Sequence, residues 1–236
     1  MKPTLRSRLF SSRHLGATVA LTLVAVAAAA LGAGASVDGP GANEIVDQVQ
    51  AHYAEISDFR ASFVQTIAHK LFPGRLERSY GAVMFKKGGL MRWDYTRPEK
   101  KSFIYDGATL WVYEPEVPQA FKATANADRL RKALAFLSGE GKIKDSYKAE
   151  KLDAARFGFT AGYVLKLMPI DKSSPFKKVE LYVSSADFHV VRSVVVDNDG
   201  NRNRFDFADT ASNSGLDPAL FTFTPPAGVP VLDAAE

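Results

Sequence analysis

The residues that could carry chemistry are few, and their spacing argues against an enzyme. His52, His69 and His189 are not spaced as metal ligands, and a chain without cysteine has no thiolate site. No G-x-S-x-G elbow occurs. Ser174-Pro-Phe-Lys177 fits S-x-x-K, but it spans a proline-containing turn and lacks companion motifs. Asp197, Asp199, Asn201 and Asn203 imitate the alternating oxygens of a calcium loop. The sixth position of that loop is Arg202 rather than glycine and the twelfth is Ala208 rather than glutamate, so a hairpin turn is the better reading. There is no P-loop to hold a nucleotide. The expectation is a non-enzymatic chain with no catalytic residue, no metal and no cofactor.

What the chain does offer is apolar surface. It carries 16 Phe, 8 Tyr and 2 Trp, and both tryptophans fall between Lys86 and Ala120. That stretch divides into three short strand-like runs, closed by Pro98, by the hairpin pair Asp106-Gly107, and by Pro115. Strand side chains alternate, so Met91, Trp93 and Tyr95 share one face while Arg92 and Asp94 take the other. Trp111 and Tyr113 are expected to repeat the arrangement, placing both tryptophans on one large apolar face.

The elements that must position this face can be read from periodicity. From Asn43, a plausible N-cap, to about Ile56, the residues Ile45, Val49, Tyr53 and Ile56 lie on one side of a helix. Phe59–Ile67 alternates as a strand with Phe59, Ala61, Phe63 and Ile67 on one side, and a loop follows over His69–Glu77. Tyr80–Lys86 is the next strand. Leu130, Leu134 and Leu137 mark one face of a second helix, stopped by Ser138-Gly139. Lys142–Leu152 reads as a second short helix or a strand. Strands return at Tyr163–Met168, which contains Leu165, and at Lys177–Ser184, where Val179, Leu181 and Val183 oppose Lys178, Glu180 and Tyr182. Val190–Val196, Arg202–Phe207 and Phe221–Phe223 complete a mainly β chain of roughly ten or eleven strands. Two helices laid on so broad a sheet face leave a groove or cavity unless side chains fill it.

The first residues read as a targeting segment. Lys2, Arg6, Arg8 and Arg13 precede an uncharged apolar run from Leu15 to Leu31, and Ala33-Gly34-Ala35 supplies small residues for cleavage before Ser36. An N-terminal membrane anchor is the competing reading, because the run reaches the lower bound for a spanning helix. Residues 1–35 hold four basic and no acidic residues, so the formal charge of +4 belongs to this segment. Residues 36–236 are neutral by formal count and form one domain, which argues against nucleic-acid binding. An exported chain without cysteine is stabilised by its core alone and carries no lipid on a cysteine.

Several motifs in order resemble the outer-membrane lipoprotein carrier family (LolA). They are Phe59-x-Ala61-Ser62-Phe63-x-Gln65, Lys86-Lys87-x-x-Leu90-x-x-Trp93, and Asp106-Gly107-x-Thr109-Leu110-Trp111-x-Tyr113-x-Pro115 with Gln119-Ala120. Phe221-Thr-Phe223-Thr-Pro225-Pro226-x-Gly228-Val229 completes the set, which spans nearly the whole chain after residue 40. The resemblance implies an open, unclosed antiparallel β-barrel with helical lids over a hydrophobic cavity for lipoprotein acyl chains. On that basis Phe63, Met91, Trp93, Tyr95, Trp111, Tyr113, Leu130, Leu134, Leu137, Leu165 and Leu181 are expected to line the cavity. It further implies a periplasmic monomer loaded by an inner-membrane ABC transporter and unloaded to an outer-membrane receptor lipoprotein. A related periplasmic lipid-binding or envelope-sensor domain of the same fold is the alternative, and a lipid hydrolase using the groove is the reading from another class. Family members latch the lid with an arginine where this chain has Lys87, which keeps the charge but loses the planar fork. Gly88 stands where a proline is common, so the latch would be weaker or lie elsewhere.

Overall fold

A computed structural model describes residues 39–72, 74–123 and 142–233. Helix α1 spans Ala42–Glu55, and its buried residues Ile45, Val46, Val49 and Tyr53 recur at three-to-four spacing. Its N-cap is Gly41, with Ile45 N donating to the Gly41 carbonyl, so the helix starts ahead of the expected Asn43.

The rest is strand. β1 (Asp58–Ala68), β2 (Leu76–Lys86), β3 (Leu90–Arg97), β4 (Lys101–Tyr105), β5 (Leu110–Glu114) and β6 (Gln119–Ala123) run as an up-and-down meander. After the short helix α2 (Ile143–Ser146) come β7 (Tyr147–Leu152), β8 (Gly162–Pro169), β9 (Phe176–Ser184), β10 (Val190–Asp197) and β11 (Arg202–Ser212). A last short strand, β12 (Val231–Asp233), pairs parallel to β6. All join one 12-stranded sheet in the order β12-β6-β5-β4-β3-β2-β1-β11-β10-β9-β8-β7. The two halves of the chain are stitched by β1 against β11, and the sheet does not close: β12 and β7 are its edges.

The inner face carries the main core. α1 lies on it, and Ile45, Val49 and Tyr53 pack with Phe59, Phe63, Trp93, Leu165 and Leu181 in one cluster. The Tyr53 hydroxyl accepts from Val190 N at 3.2 Å, and burial pushes its pKa up to about 12. On the outer face Val164, Tyr182, Val194 and Val196 form a smaller cluster. The chain after β11 folds across this outer face, held by Asp58. That buried carboxylate accepts from the backbone N–H of Ser214, Gly215 and Leu216 and from the Ser214 hydroxyl.

The structure differs from the sequence reading in three places. β6 and β12 raise the strand number: β6 (Gln119–Ala123) holds a single aromatic residue and no β-branched one, and β12 has only three residues, so neither carries the pattern of a strand. The ambiguous stretch 142–152 is both things in succession, helix α2 and then strand β7. Phe221–Phe223 is not a strand. Pro218–Phe221 is a 3-10 turn capped by Asp217, which accepts from Ala219 N, and Phe221 is buried by packing rather than by pairing.

Candidate functional site

An aromatic band occupies the inner face of β1–β4 and β11. Phe63 is its centre, with ring centroids 5.1 Å from Trp93, 5.0 Å from Tyr95 and 5.6 Å from Phe205. The ring fits because its register partner is Gly81, where a Cβ would stand 2.6 Å from Phe63 and 2.2 Å from the Asp94 carbonyl. Trp93 also meets Phe85 at 6.0 Å, Phe205 at 5.1 Å and Phe207 at 6.5 Å, and Tyr95 continues the band to Phe103 at 5.8 Å. Tilted and edge-on contacts of this kind suit the ring quadrupoles. Met91, Phe63 and Trp93 are buried, whereas Tyr95, Phe103, Phe205 and Phe207 are half-buried. Burial pushes the Tyr95 hydroxyl up to about 12. The face therefore grades from closed core to partly open apolar surface, and at its open end Lys101, the register partner of Tyr95, is ion-paired with Glu114.

The expected residues divide. Phe63, Met91, Trp93 and Tyr95 are brought together here, and Leu165 and Leu181, direct partners across β8 and β9, are fully buried in the same core cluster. Leu130, Leu134 and Leu137 lie outside the described residues. Trp111 and Tyr113 are a correction: they lie on the outer face. Trp93 pairs with Phe103 and Phe103 with Val112, so Val112, not Trp111, continues the inner face. Tyr105 pairs with Leu110, and the four residues 106–109 between them reverse the parity of alternation across the hairpin. On the outer face Trp111 and Tyr113 pack against Phe223, at 5.5 and 5.1 Å.

Phe103, Phe205 and Phe207 were missed. Their signal was present, because Phe205-Asp206-Phe207 alternates and Phe103 is reached by counting back from Trp93 across the β3–β4 turn. What was missing was the pairing of β11 with β1, which puts Phe207 opposite Phe63 and Phe205 opposite Gln65.

Lys87, the expected latch residue, is hydrogen-bonded to the end of α1. Its Nζ donates to the Ala54 carbonyl at 2.7 Å, in the last turn of α1, and its backbone N donates to the Ser57 carbonyl at 2.9 Å. A cation is well placed at the negative end of a helix. Gly88 has φ +93°, which proline cannot adopt, so this turn takes a different path from one built on proline. The neighbouring Lys86 points to the other layer, donating to the Leu216 carbonyl at 2.8 Å.

The outer face is charged and paired. Burial opposes ionisation of Glu180, but hydrogen bonds from Lys178 (2.7 Å) and Arg202 (2.8 Å) outweigh it and hold the carboxyl below its usual range. The same balance, struck by Arg204 and Arg192, lowers Asp206. Arg92 joins Asp94 to the Leu220 carbonyl, fastening the C-terminal segment.

The minor chemical candidates resolve into structure. Asp197 accepts from Asn201 N and Nδ2, both at 2.8 Å, and Gly200 takes φ +91°, which is a self-capped hairpin turn. The Ser174 hydroxyl donates to the Phe176 carbonyl. His52 and His189 do meet, at 6.4 Å between rings, with Asp187 bonded to His189, but among the described residues no group of three ligands could hold a metal.

Comparison with known proteins adds a second line. The family profile described as "Outer membrane lipoprotein carrier protein LolA" matches residues 54–224. An outer-membrane lipoprotein carrier protein of Chromobacterium violaceum is 29% identical over 205 residues, covering 87% of this chain and 94% of that one. Another, of Nitrosomonas europaea, is 29% identical over 185 residues, covering 74% and 82%. Among solved structures, an uncharacterized conserved protein from Thermus thermophilus superposes with a TM-score of 0.51 at 15% identity, over 81% of this chain and 98% of that chain, a likeness of fold.

Proposed function

The chain belongs to the LolA family of outer membrane lipoprotein carrier proteins, and on that premise we propose that it is an exported carrier that shields lipoprotein acyl chains on its inner aromatic face. Cargo would travel from an inner-membrane ABC transporter to an outer-membrane receptor lipoprotein, with residues 1–35 removed near Ala35-Ser36 and residues 36–236 acting as the carrier domain. The observation that carries the reading is the graded aromatic band around Phe63, buried at Trp93 and half-open at Tyr95, Phe103, Phe205 and Phe207.

The physics sets what such a face must do. An acyl chain of about fifteen methylenes at about 0.8 kcal/mol each resists water by about 12 kcal/mol. A protein face can compete with a bilayer only if it is apolar, broad and kept dry until used, because an open patch of that size aggregates. α1 supplies a cover over part of the face, and cargo must displace cover or widen the half-open end to enter. No bond is made or broken in this cycle, so the residues act by burial alone.

The separation of the two tryptophans gives a direct test. A triacylated lipopeptide is expected to change the fluorescence of the wild-type chain saturably. Trp111→Phe should leave that change intact and Trp93→Phe should remove it. A saturable signal that survives Trp93→Phe, or no signal at all, would overturn the inner face as the lipid site.

A further inference from the structure

The tip of the β1–β2 hairpin is the most exposed apolar feature among the described residues, and the carrier reading does not use it. Leu71 is 83% exposed, Phe72 61% and Leu76 51%. Together they present on the order of 400 Å² of surface, comparable with the largest apolar patch on a typical monomer, which is often functional. Cations surround them: Lys70 precedes the pair, Arg75 precedes Leu76, and Arg78 follows, against the single carboxylate Glu77, which Arg75 and His69 approach at 3.4 and 3.7 Å.

The surroundings extend the same chemistry. Strand direction places the turns 170–175 and 198–201 at this end of the sheet, beside the tip. Lys70 N donates to Asn201 Oδ1 at 3.1 Å, and Asn198 Nδ2 donates to the Ser174 carbonyl at 3.0 Å, so the three turns form one rim. A depression of about 370 Å³ in that rim is lined by Lys70, Lys166, Lys177 and Lys178 together with Asp199; Lys166 is paired with Glu150 and Lys178 with Glu180, which leaves Lys70 and Lys177 as its cationic points. Ile170, 47% exposed, is a further apolar point on the rim.

We propose that this tip is a membrane-surface anchor, with Leu71 and Phe72 entering the interface of an anionic phospholipid bilayer while Lys70, Arg75, Arg78 and Lys177 meet its phosphates. The arrangement of charge around the apolar tip favours a bilayer over a protein partner. A bilayer needs no complementary shape, only apolar side chains ringed by cations, and that is the arrangement present. The inference goes beyond the carrier reading, since the tip lies apart from the aromatic band.

The absence of cysteine makes the test site-specific. Phe72→Cys, carrying an environment-sensitive fluorophore, is expected to shift to the blue with vesicles of phosphatidylcholine containing phosphatidylglycerol, and to be quenched by lipids labelled in their acyl chains. Flotation of the unlabelled chain with the same vesicles should weaken at least about thirtyfold in the Leu71→Ser/Phe72→Ser double variant. It should weaken about tenfold or more in Lys70→Gln/Arg75→Gln, and fall with added salt. The fluorophore reads the tip alone, so a retained N-terminal segment cannot imitate it. The Trp93 response to lipopeptide should be unchanged in both double variants, which separates this inference from the carrier reading. A fluorophore that stays in water on vesicles, flotation that the Leu71→Ser/Phe72→Ser variant does not weaken, or a dimer in sedimentation that this variant abolishes without any vesicle binding would each overturn the anchor.

Discussion

At the scale of single residues, the latch is the sharpest question. Lys87 stands where the resemblance implies an arginine, and its ammonium reaches the Ala54 carbonyl at 2.7 Å, one contact where an arginine fork could make several. Lys87 is exposed, so the hydrogen bond and its favourable place at the helix end together contribute about 1 kcal/mol. Lys87→Leu keeps a similar stem and removes the donors. The variant should shift the closed-to-open balance of α1 by about fivefold, with faster amide exchange in the last turn of α1. In a reconstituted transfer assay it should still load lipoprotein but hand it on poorly, because cargo favours the open state that binds it better. Unaltered exchange and unaltered transfer would show that Lys87 is a surface lysine and not a latch.

At the scale of elements, α1 covers the inner face, and its grip comes from a few buried side chains. Ile45, Val46, Val49 and Tyr53 are all at or below 1% exposure, and Tyr53 is also tied to Val190 through its hydroxyl. On the far side, Lys144 pairs with Asp47 and Ile143 N donates to Gln50 Oε1, so α2 clasps α1 from the strand β7 edge. Val49→Arg would force an unpaired charge into this contact, at a cost of several kcal/mol. The sheet has its own continuous backbone pairing, so the predicted outcome is local. Amides of α1 should lose protection and apolar-dye binding should rise, while amides of β1, β2 and β11 stay protected. Global unfolding at the same denaturant concentration as loss of α1 protection would show that the helix is part of the core and not a cover.

At the scale of the whole molecule, three ionised carboxylates stabilise the outer face and the C-terminal segment. Asp58, Glu180 and Asp206 are all held below their ordinary values: burial opposes ionisation in each, and hydrogen bonds from Ser214, from Lys178 and Arg202, and from Arg204 and Arg192 outweigh it. A depressed folded value means that these groups contribute stability above their unfolded values, 3.8 for the aspartates and 4.5 for the glutamate, and that the contribution is lost as pH falls through the folded values. Urea unfolding should therefore give a stability that falls steeply below about pH 4.5. Asp58→Asn would put an amide against the backbone donors of Ser214, Gly215 and Leu216, lowering stability at neutral pH by about 2–4 kcal/mol and flattening part of the acid slope. An acid slope identical in the variant and the wild type would remove Asp58 from this account.

The sequence by itself determined most of the strands, their alternation and the chemical class of the surface. Met91, Trp93 and Tyr95 were placed on one face because alternation within one strand is a local property of the backbone, whereas Phe63, on another strand, was joined to them only by the family resemblance. The Asp197–Gly200 hairpin and helix α1 were legible for the same reason, since their turn residues and three-to-four spacing need no distant partner. Trp111 was not, because its face depends on how many residues the β4–β5 turn holds between paired positions, and one residue more or less inverts every side chain beyond it. Phe205 and Phe207 joined the site only through the pairing of β11 with β1, residues some 140 positions apart in the chain brought into register by tertiary contact. The segment 221–223, written as a strand by its alternating pattern, lies on the outer face instead, where Phe221 is buried at the end of a 3-10 turn and Phe223 packs against Trp111 and Tyr113. Local periodicity thus settled which residues are apolar and where they alternate. Which face each strand turns to the aromatic band was settled by register, a property of pairs of strands that no single stretch of sequence contains.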